Sequence, residues 1–388
     1  MAWCAIGNPP APPTRPGWGR RTLQALAVPA AASGSRVQSL DILRGLMALA
    51  VAFYHFTIWY PVFQPGRFMA YTAAKVGNYG VEGFFIISGF CFFHIYGADS
   101  FRGKGLRDFH LKRFLRIAPL YYLAVLLNLV LGLEVGPPAT PRMLLENATL
   151  TFGLFHPNHS MVLGGWSIGI EYVFYLAFPL LAWVAGKFRP FLALAALATI
   201  LLSLPYTLYL VPEAPWTHDL KFHTYVQVAN HGFLFFLGGL AAQVRARVKW
   251  RVSGVSFWLL AAGLGLVFSR YLRNFYDHFL VLEGPPRYVF AALCLGLVAL
   301  FAFRDFPASP LKRAGIFLGE ISYSVYLIHP FAQEALLRLF PGGVAPALGF
   351  ALGLVLTLGL ATVTHRWIER PAMDLGKRLT AKPAGETG

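Results

Sequence analysis

The chain has 388 residues, of which 56% are hydrophobic and only 13% are charged. A soluble globular protein carries about 25% charged residues, so this sequence cannot cover a water-facing surface. The formal charge of +16 would by itself fit nucleic-acid binding. The charged residues lie between long apolar blocks, however, so we expect no nucleic-acid partner and a lipid bilayer around most of the chain.

Taken in chain order, residues 1–37 are rich in Pro, Gly, Ala and Arg and predict a disordered cytoplasmic tail. Apolar blocks follow, each near the roughly 20 residues that a helix needs to cross a bilayer. The blocks are residues 40–60, 81–97, 113–133, 166–185, 190–211, 231–248, 254–272, 286–303, 316–340 and 345–367. The second is short, and we expect its span to begin nearer Ala73. The sequence thus predicts an all-α polytopic membrane protein with about ten transmembrane helices. Its membrane domain covers residues 38–371, and a cytoplasmic tail covers residues 372–388.

Cationic residues are distributed unevenly between the connecting segments. With a cytoplasmic amino terminus, the inward segments hold about three times as many Lys and Arg residues as the outward ones, which include Lys75 and Arg287. Cationic segments stay on the cytoplasmic side of a cell membrane. We therefore expect a multi-pass protein of the cell membrane with both termini in the cytoplasm.

The first span carries ionisable residues, which are costly inside a membrane and mark candidate functional sites. Asp41 and Arg44 stand at its beginning, and His55 follows eleven residues after Arg44. At about 100° per residue, this spacing puts Arg44 and His55 on nearly the same helix face, about 16 Å apart along the axis. Taken alone, Arg44 could equally be a cation that snorkels to the membrane surface, and His55 could equally be a hydrogen-bonded strut between helices. Their shared face favours function.

The third span begins with Arg113 and Arg116, three residues apart. Two guanidinium groups on one helix face can bind one phosphate or pyrophosphate. An ordinary collar of cations at the membrane surface is the simpler interpretation of the spacing alone.

Other polar residues interrupt later apolar blocks. Glu171 in the fourth span and Glu82 in the second are carboxylates that need a partner inside a membrane. In the ninth span, Pro330 is expected to unwind the helix around His329. No Cys/His spacing typical of a metal site occurs, and we expect no metal cofactor.

Six motifs resemble, in the same order, those of acyltransferase family 3, whose integral membrane proteins O-acylate sugars, polysaccharides and macrolides. They are LDILRGL with YHF (40–46, 54–56), GFFIISGF (83–90), RFLR (113–116), WSIGIE (166–171), ISYSVYLIHP (321–330) and IERP (368–371). The family often has a second acidic residue where this chain has Tyr172, and Asp-Leu where it has Glu82-Gly83. The carboxylate partner of His55 therefore stays open. Little sequence follows Pro371, and we expect a stand-alone member without the soluble esterase-like domain of some relatives.

The resemblance implies a transferase that moves an acyl group, by expectation acetyl, from acyl-coenzyme A to a hydroxyl of a sugar, polysaccharide or secondary metabolite. Arg44, Arg113 and Arg116 would bind the phosphates of the donor, and neutral His55 would act as general base on the acceptor hydroxyl. The further catalytic candidates, which would orient the imidazole or bind the acceptor, are Glu171 and Glu82.

Two other functions remain alternatives. A secondary transporter, or a protein that carries acyl groups across the membrane for a separate transferase, would also place polar residues at the midplane. The two halves of the sequence show no repeat, which disfavours an inverted-repeat transporter. A receptor or scaffold would leave the ionisable residues of the spans without a purpose.

Overall fold

The computed structural model describes residues 36–63, 68–133, 139–212, 218–272 and 278–381, and their regular structure is entirely helical. The predicted tail at residues 1–37 lies almost wholly outside these ranges. The helices are α1 (Gln38–Trp59), α2 (Phe68–Ile95), α3 (Gly105–Leu131), α4 (Pro141–Thr149), α5 (Phe152–Phe155), α6 (Gly165–Lys187), α7 (Phe191–Pro205), α8 (His218–Tyr225), α9 (Val228–Arg247), α10 (Gly254–Arg270), α11 (Gly284–Ala302), α12 (Pro310–Glu320), α13 (Ser322–Leu339), α14 (Pro346–Thr364) and α15 (Arg370–Leu379).

All ten predicted blocks are helical, but the count of about ten membrane spans is not confirmed. Within the described ranges, seven helical segments are long and apolar enough to cross a membrane. They are α1, α2, α3, α6, α7 with its π-helical extension to Leu210, α11, and α14 continued through a π-helical turn into α15. Helix α10 has only 17 residues, and polar residues lower the hydropathy of α9 and α13.

Two boundaries differ from the prediction. Helix α2 begins at Phe68, before the predicted block and near Ala73, where its span was expected to start. Lys75 and Glu82 interrupt its apolar run and yet are buried inside the protein. The predicted block at residues 316–340 is divided at Ile321 into α12 and α13.

The expected unwinding at Pro330 is not found, since α13 continues through this residue. A proline lacks the N–H that would donate to the carbonyl four residues earlier, here that of Tyr326. The side chain of His329 replaces it, because its Nδ1 lies 2.7 Å from the Tyr326 carbonyl oxygen. The Tyr326 carbonyl therefore keeps a hydrogen-bond donor, and the helix continues through Pro330.

Helix α2 is the centre of the bundle, with α1, α9 and α11 packed around it. Gly89 of α2 and Gly238 of α9 allow the closest approach: a Cβ atom at Gly89 would collide with the carbonyl of Phe235, and one at Gly238 with that of Ile86. Small residues permit such backbone contact between membrane helices. Helices α7, α10 and α14 instead expose large apolar side chains, among them Leu201, Leu259 and Val355, as a lipid-facing surface requires.

Two cations that the charge pattern assigned to the outward segments are in fact buried. Lys75 donates to the carbonyls of Ser269 at 3.1 Å and Tyr271 at 2.7 Å, at the carboxyl end of α10, where a cation also suits the helix dipole. Arg287 of α11 lies 3.3 Å from the carboxylate of Glu82. Burial of these side chains makes them part of the packing between helices.

The segment between α3 and α6 folds over one end of the bundle. Asn147 of α4 holds it, because its side chain accepts from the Tyr121 hydroxyl at 2.5 Å and donates to the His159 carbonyl at 2.8 Å. Beside it, Glu146 contacts His156 and His159 at 3.0 and 2.7 Å and Arg142 at 2.8 Å. This trio of Glu146 and two histidines has ligand atoms close enough for a metal ion, but the Arg142 guanidinium already neutralises the carboxylate. We therefore describe it as an ion-pair cluster.

Candidate active site

A cavity of about 590 Å³ opens near the basic face of the bundle, the end where α1 and α3 begin and α2 ends. Seven helices contribute to its walls, namely α1, α2, α3, α6, α12, α13 and α15. Three arginines predicted to bind phosphate and one predicted catalytic carboxylate line it, namely Arg44, Arg113, Arg116 and Glu171. The structure thus brings four of the six predicted site residues together.

Arg113 and Arg116 lie about two to three turns after the start of α3 and line this cavity. The Arg113 guanidinium lies over the rings of Phe92 and Tyr175, 4.8 and 5.5 Å from their centroids, and donates to the Tyr96 hydroxyl at 2.8 Å. Aromatic faces stabilise a cation without neutralising its charge. The geometry therefore favours inward-facing cations over a collar at the membrane surface.

Arg44 enters the same cavity from α1. Its guanidinium lies 3.3 Å from Asp41 and 3.8 Å from the thiol of Cys91. Asp41 is shared, since Arg36 binds its other oxygen at 2.6 Å. Arg44 thus has only part of one carboxylate as counter-charge.

The other carboxylates of the cavity are already bound by neighbours within the chain. Glu171 accepts hydrogen bonds from Ser88 and Tyr175, both at 2.6 Å. Glu369 accepts from Ser324 at 2.9 Å and contacts His365 at 3.0 Å. Among the described residues, no ion pair joins a carboxylate to Arg113 or Arg116. These two guanidinium groups therefore face the cavity without a direct ion pair, although Asp41, Glu171 and Glu369 also line it.

His55 lies deeper, beyond the residues that line the cavity. Its Nδ1 is 3.0 Å from the Val51 carbonyl oxygen and 3.1 Å from Nε2 of His329, and its ring stacks on Trp59 with centroids 5.5 Å apart. Tyr326 lines the cavity one helical turn before His329, and its hydroxyl bonds to Ser167 at 2.8 Å and to the Gly164 carbonyl at 2.9 Å. The histidine pair therefore begins where the cavity ends.

Neither predicted carboxylate partner contacts His55 in the described part of the chain. Glu171 is held by Ser88 and Tyr175, as above. Glu82 is completely buried elsewhere, where it pairs with Arg287 at 3.3 Å and accepts from Tyr225 at 3.1 Å. The residue that contacts the imidazole is His329, which the sequence indicated only through the His329-Pro330 pair.

The family model for acyltransferase family 3, described as an acyltransferase domain, matches residues 37–366. The chain belongs to this family. Together with the apolar helices, this membership indicates a multi-pass membrane protein and implies acyltransferase activity at a membrane.

Several curated proteins resemble the chain over most of their length. Acyltransferase MdmB of Streptomyces mycarofaciens is 26% identical, over 88% of this chain and 93% of its own. Nodulation protein 10 of Rhizobium leguminosarum bv. viciae is 24% identical, over 90% and 96%. The exopolysaccharide production protein ExoZ of Rhizobium meliloti (strain 1021) is 27% identical, over 80% and 94%. No solved structure matches.

Proposed function

We propose that the protein transfers an acyl group from acyl-coenzyme A to a hydroxyl of a glycan or secondary metabolite. We expect the acyl group to be acetyl. The observation that carries the proposal is the cavity at the basic face, where Arg113 and Arg116 form no direct ion pair with a carboxylate of the described residues. Buried or half-buried guanidinium groups of this kind suit the phosphates of a nucleotide-like donor. Orientation with both termini in the cytoplasm would open the cavity to cytoplasmic acyl-coenzyme A.

The residues present fit such a donor in two respects. Arg44, Arg113 and Arg116 surround the cavity from two helices and would bind its phosphates. The cavity continues to Tyr326, so a long pantetheine arm would lie along it with the thioester at the inner end. Since His329 and His55 lie beyond Tyr326, the thioester has to pass this side chain to react.

The chemistry assigned to His55 is general base catalysis. Its Nε2 would take the proton of the acceptor hydroxyl while the oxygen attacks the thioester carbonyl. The carbon–sulfur bond then breaks, and the coenzyme A thiolate receives the proton back from the imidazole. Glu171, which lines the cavity, stays the candidate for binding the acceptor.

The acceptor class is supported by the relatives. One is named an acyltransferase and another an exopolysaccharide production protein, which favours a glycan or a metabolite hydroxyl. Mass spectrometry of surface glycans and secreted metabolites from a deletion strain would identify it as the compound that loses an acyl group. An unchanged acylation profile together with altered solute uptake would favour the transporter instead.

Donor binding is tested with the full-length protein in lipid nanodiscs, titrated with acetyl-coenzyme A. Arg113→Ala combined with Arg116→Ala is expected to weaken binding at least about tenfold, because each removes charge-assisted hydrogen bonds. The matched control, Arg102→Ala with Arg107→Ala, removes the same charge from exposed positions outside the cavity and should leave affinity unchanged. Equal affinities in all three proteins would refute the donor site.

A further inference from the structure

The histidine pair forms a hydrogen-bonded chain whose direction can be read from its ends. One end is the Tyr326 carbonyl, 2.7 Å from Nδ1 of His329, and the middle contact joins His329 Nε2 to His55 Nδ1 at 3.1 Å. The other end is the Val51 carbonyl, 3.0 Å from His55 Nδ1. Carbonyl oxygens only accept hydrogen bonds.

These partners assign the tautomers, which follow from the hydrogen-bond network. Nδ1 of His329 must carry a hydrogen because it faces the Tyr326 carbonyl. In a neutral imidazole its Nε2 is then an acceptor. His55 therefore carries its one ring hydrogen on Nδ1, where His329 Nε2 and the Val51 carbonyl share it, and its own Nε2 carries a lone pair. That Nε2 makes no hydrogen bond to any described residue.

The His-Pro sequence supplies the reason that His329 is held in this state. Because Pro330 has no N–H, the Tyr326 carbonyl lacks its helical donor. An unsatisfied carbonyl in a buried helix costs about 1–3 kcal/mol, so His329 is bound to it through Nδ1. The proline thereby fixes the protonation of an imidazole one residue before it.

From this geometry we propose that His329 is a positioning residue, which together with the Val51 carbonyl keeps the proton of His55 on Nδ1 and leaves Nε2 free as the base. The inference rests on the proposed function, since it assigns how the general base is prepared. When His55 takes the acceptor's proton it becomes an imidazolium, and its Nδ1–H then donates more strongly to His329. A neutral histidine thus fills the place that a carboxylate takes in other catalytic triads.

The test uses bromoacetyl-coenzyme A with the full-length chain in nanodiscs, which requires no knowledge of the acceptor. A Cys91→Ala background removes the cavity thiol, which would itself react. The lone pair of His55 displaces bromide to form a carbon–nitrogen bond, and the ring then releases its Nδ1 proton to solvent. Acid hydrolysis leaves carboxymethylhistidine, whose Nε2 and Nδ1 isomers are separated by chromatography.

We expect the reference protein to give the Nε2 isomer at His55. His329→Ala should slow labelling about tenfold, the effect of one lost hydrogen bond, and should raise the share of the Nδ1 isomer, because the Val51 carbonyl then holds the Nδ1 proton alone. His329→Gln, whose amide oxygen can accept from His55, should restore rate and isomer. Affinity for coenzyme A should stay unchanged throughout, which separates positioning from a general loss of structure.

The two hypotheses fail in different ways. A reference protein that does not bind coenzyme A, or is not labelled at His55, refutes the proposed function. Labelling of His329→Ala at the reference rate, and only at Nε2, refutes the positioning role while the function stands. If the alanine variant loses coenzyme A binding through misfolding, His329→Leu, which preserves bulk but cannot accept a hydrogen bond, gives the same decision.

Discussion

Two clusters of charged side chains lie within the helical bundle, and they differ in how their charges are neutralised. Glu82 and Arg287 are completely buried and pair with each other at 3.3 Å. Arg113 and Arg116 line a cavity whose carboxylate Glu171 is hydrogen-bonded by Ser88 and Tyr175, which also line it. An ionisable residue within a span is therefore not enough to indicate a ligand site. What distinguishes the cavity is that, among the described residues, no carboxylate forms a direct ion pair with Arg113 or Arg116, although Asp41, Glu171 and Glu369 also line it.

Glu82 and Glu171, which look alike in the sequence, differ in the same way. Glu82 and Glu171 both stand in apolar helices, yet Glu82 is enclosed by Arg287 and Tyr225. The pair is not fully hydrogen-bonded. Glu82 Oε2 and Arg287 Nε have no hydrogen-bond partner among the described residues. The pair stabilises the contact between α2 and α11, and variants of the two clusters should affect different properties.

The largest effect is expected at the inner end of the cavity. His55→Ala should lower acyl transfer by about 100- to 10,000-fold, the range for loss of a general base, while coenzyme A affinity and stability stay near those of the unmodified protein. Release of coenzyme A from acetyl-coenzyme A, measured with the acceptor identified by mass spectrometry, checks the result. His223→Ala, a histidine outside the cavity, is the matched control. Retained activity would remove the base from the mechanism.

The buried ion pair of Glu82 and Arg287 should show the opposite pattern, a loss of stability without a loss of donor binding. Glu82→Met or Arg287→Met alone is expected to destabilise the fold by about 3–5 kcal/mol, because it leaves one charge buried without its partner. The double variant should recover most of this loss, since no buried charge remains. Reversible unfolding in detergent measures the stability, and a coenzyme A titration of each folded variant completes the comparison. A folded single variant that has lost donor binding would place the pair in the donor site.

The smallest effect is expected where a cluster is half exposed. Although partial burial opposes it, the hydrogen bonds of His159 and Arg142 and the nearby His156 hold the pKa of Glu146 below its ordinary value of 4.5. The lowered pKa stabilises the segment above that value, and this contribution is lost as the pH falls through the folded pKa. Amide exchange of residues 139–164 should then rise by less than about tenfold, the factor for one pKa unit. Glu146→Gln should abolish this pH dependence, whereas Glu334→Gln, in an ion pair on α13, should not.

Local pattern predicted much of this architecture and part of the site. The spacing of Arg44 from His55, and of Arg113 from Arg116, depends only on helical geometry, and all four residues lie on continuous helices. The block predicted for α2 begins only at residue 81, although we expected the span to start nearer Ala73, because Lys75 looks like a loop residue until its partners on α10 are known. Hydropathy counts apolar residues and carries no information on such long-range pairs.

The partner of His55, His329, could not be predicted from local sequence pattern either. It lies 274 positions away in sequence, and no periodicity joins the two. The signal that was present is the His-Pro dipeptide, in which a proline inside a helix frees a carbonyl four residues earlier. That rule indicated a disturbed backbone, whereas the side chain of His329 repairs the gap.

The close packing of α2 and α9 at Gly89 and Gly238 has a mechanical consequence. The two backbones approach each other directly there, which leaves little room for α2 to shift against α9, and Ser88 and Cys91 on α2 form one wall of the cavity. The opposite wall carries Tyr326 on α13, which follows a helix break at Ile321. If the passage toward His55 widens to admit an acyl chain, we therefore expect Tyr326 on α13 to move and the α2 wall to stay in place.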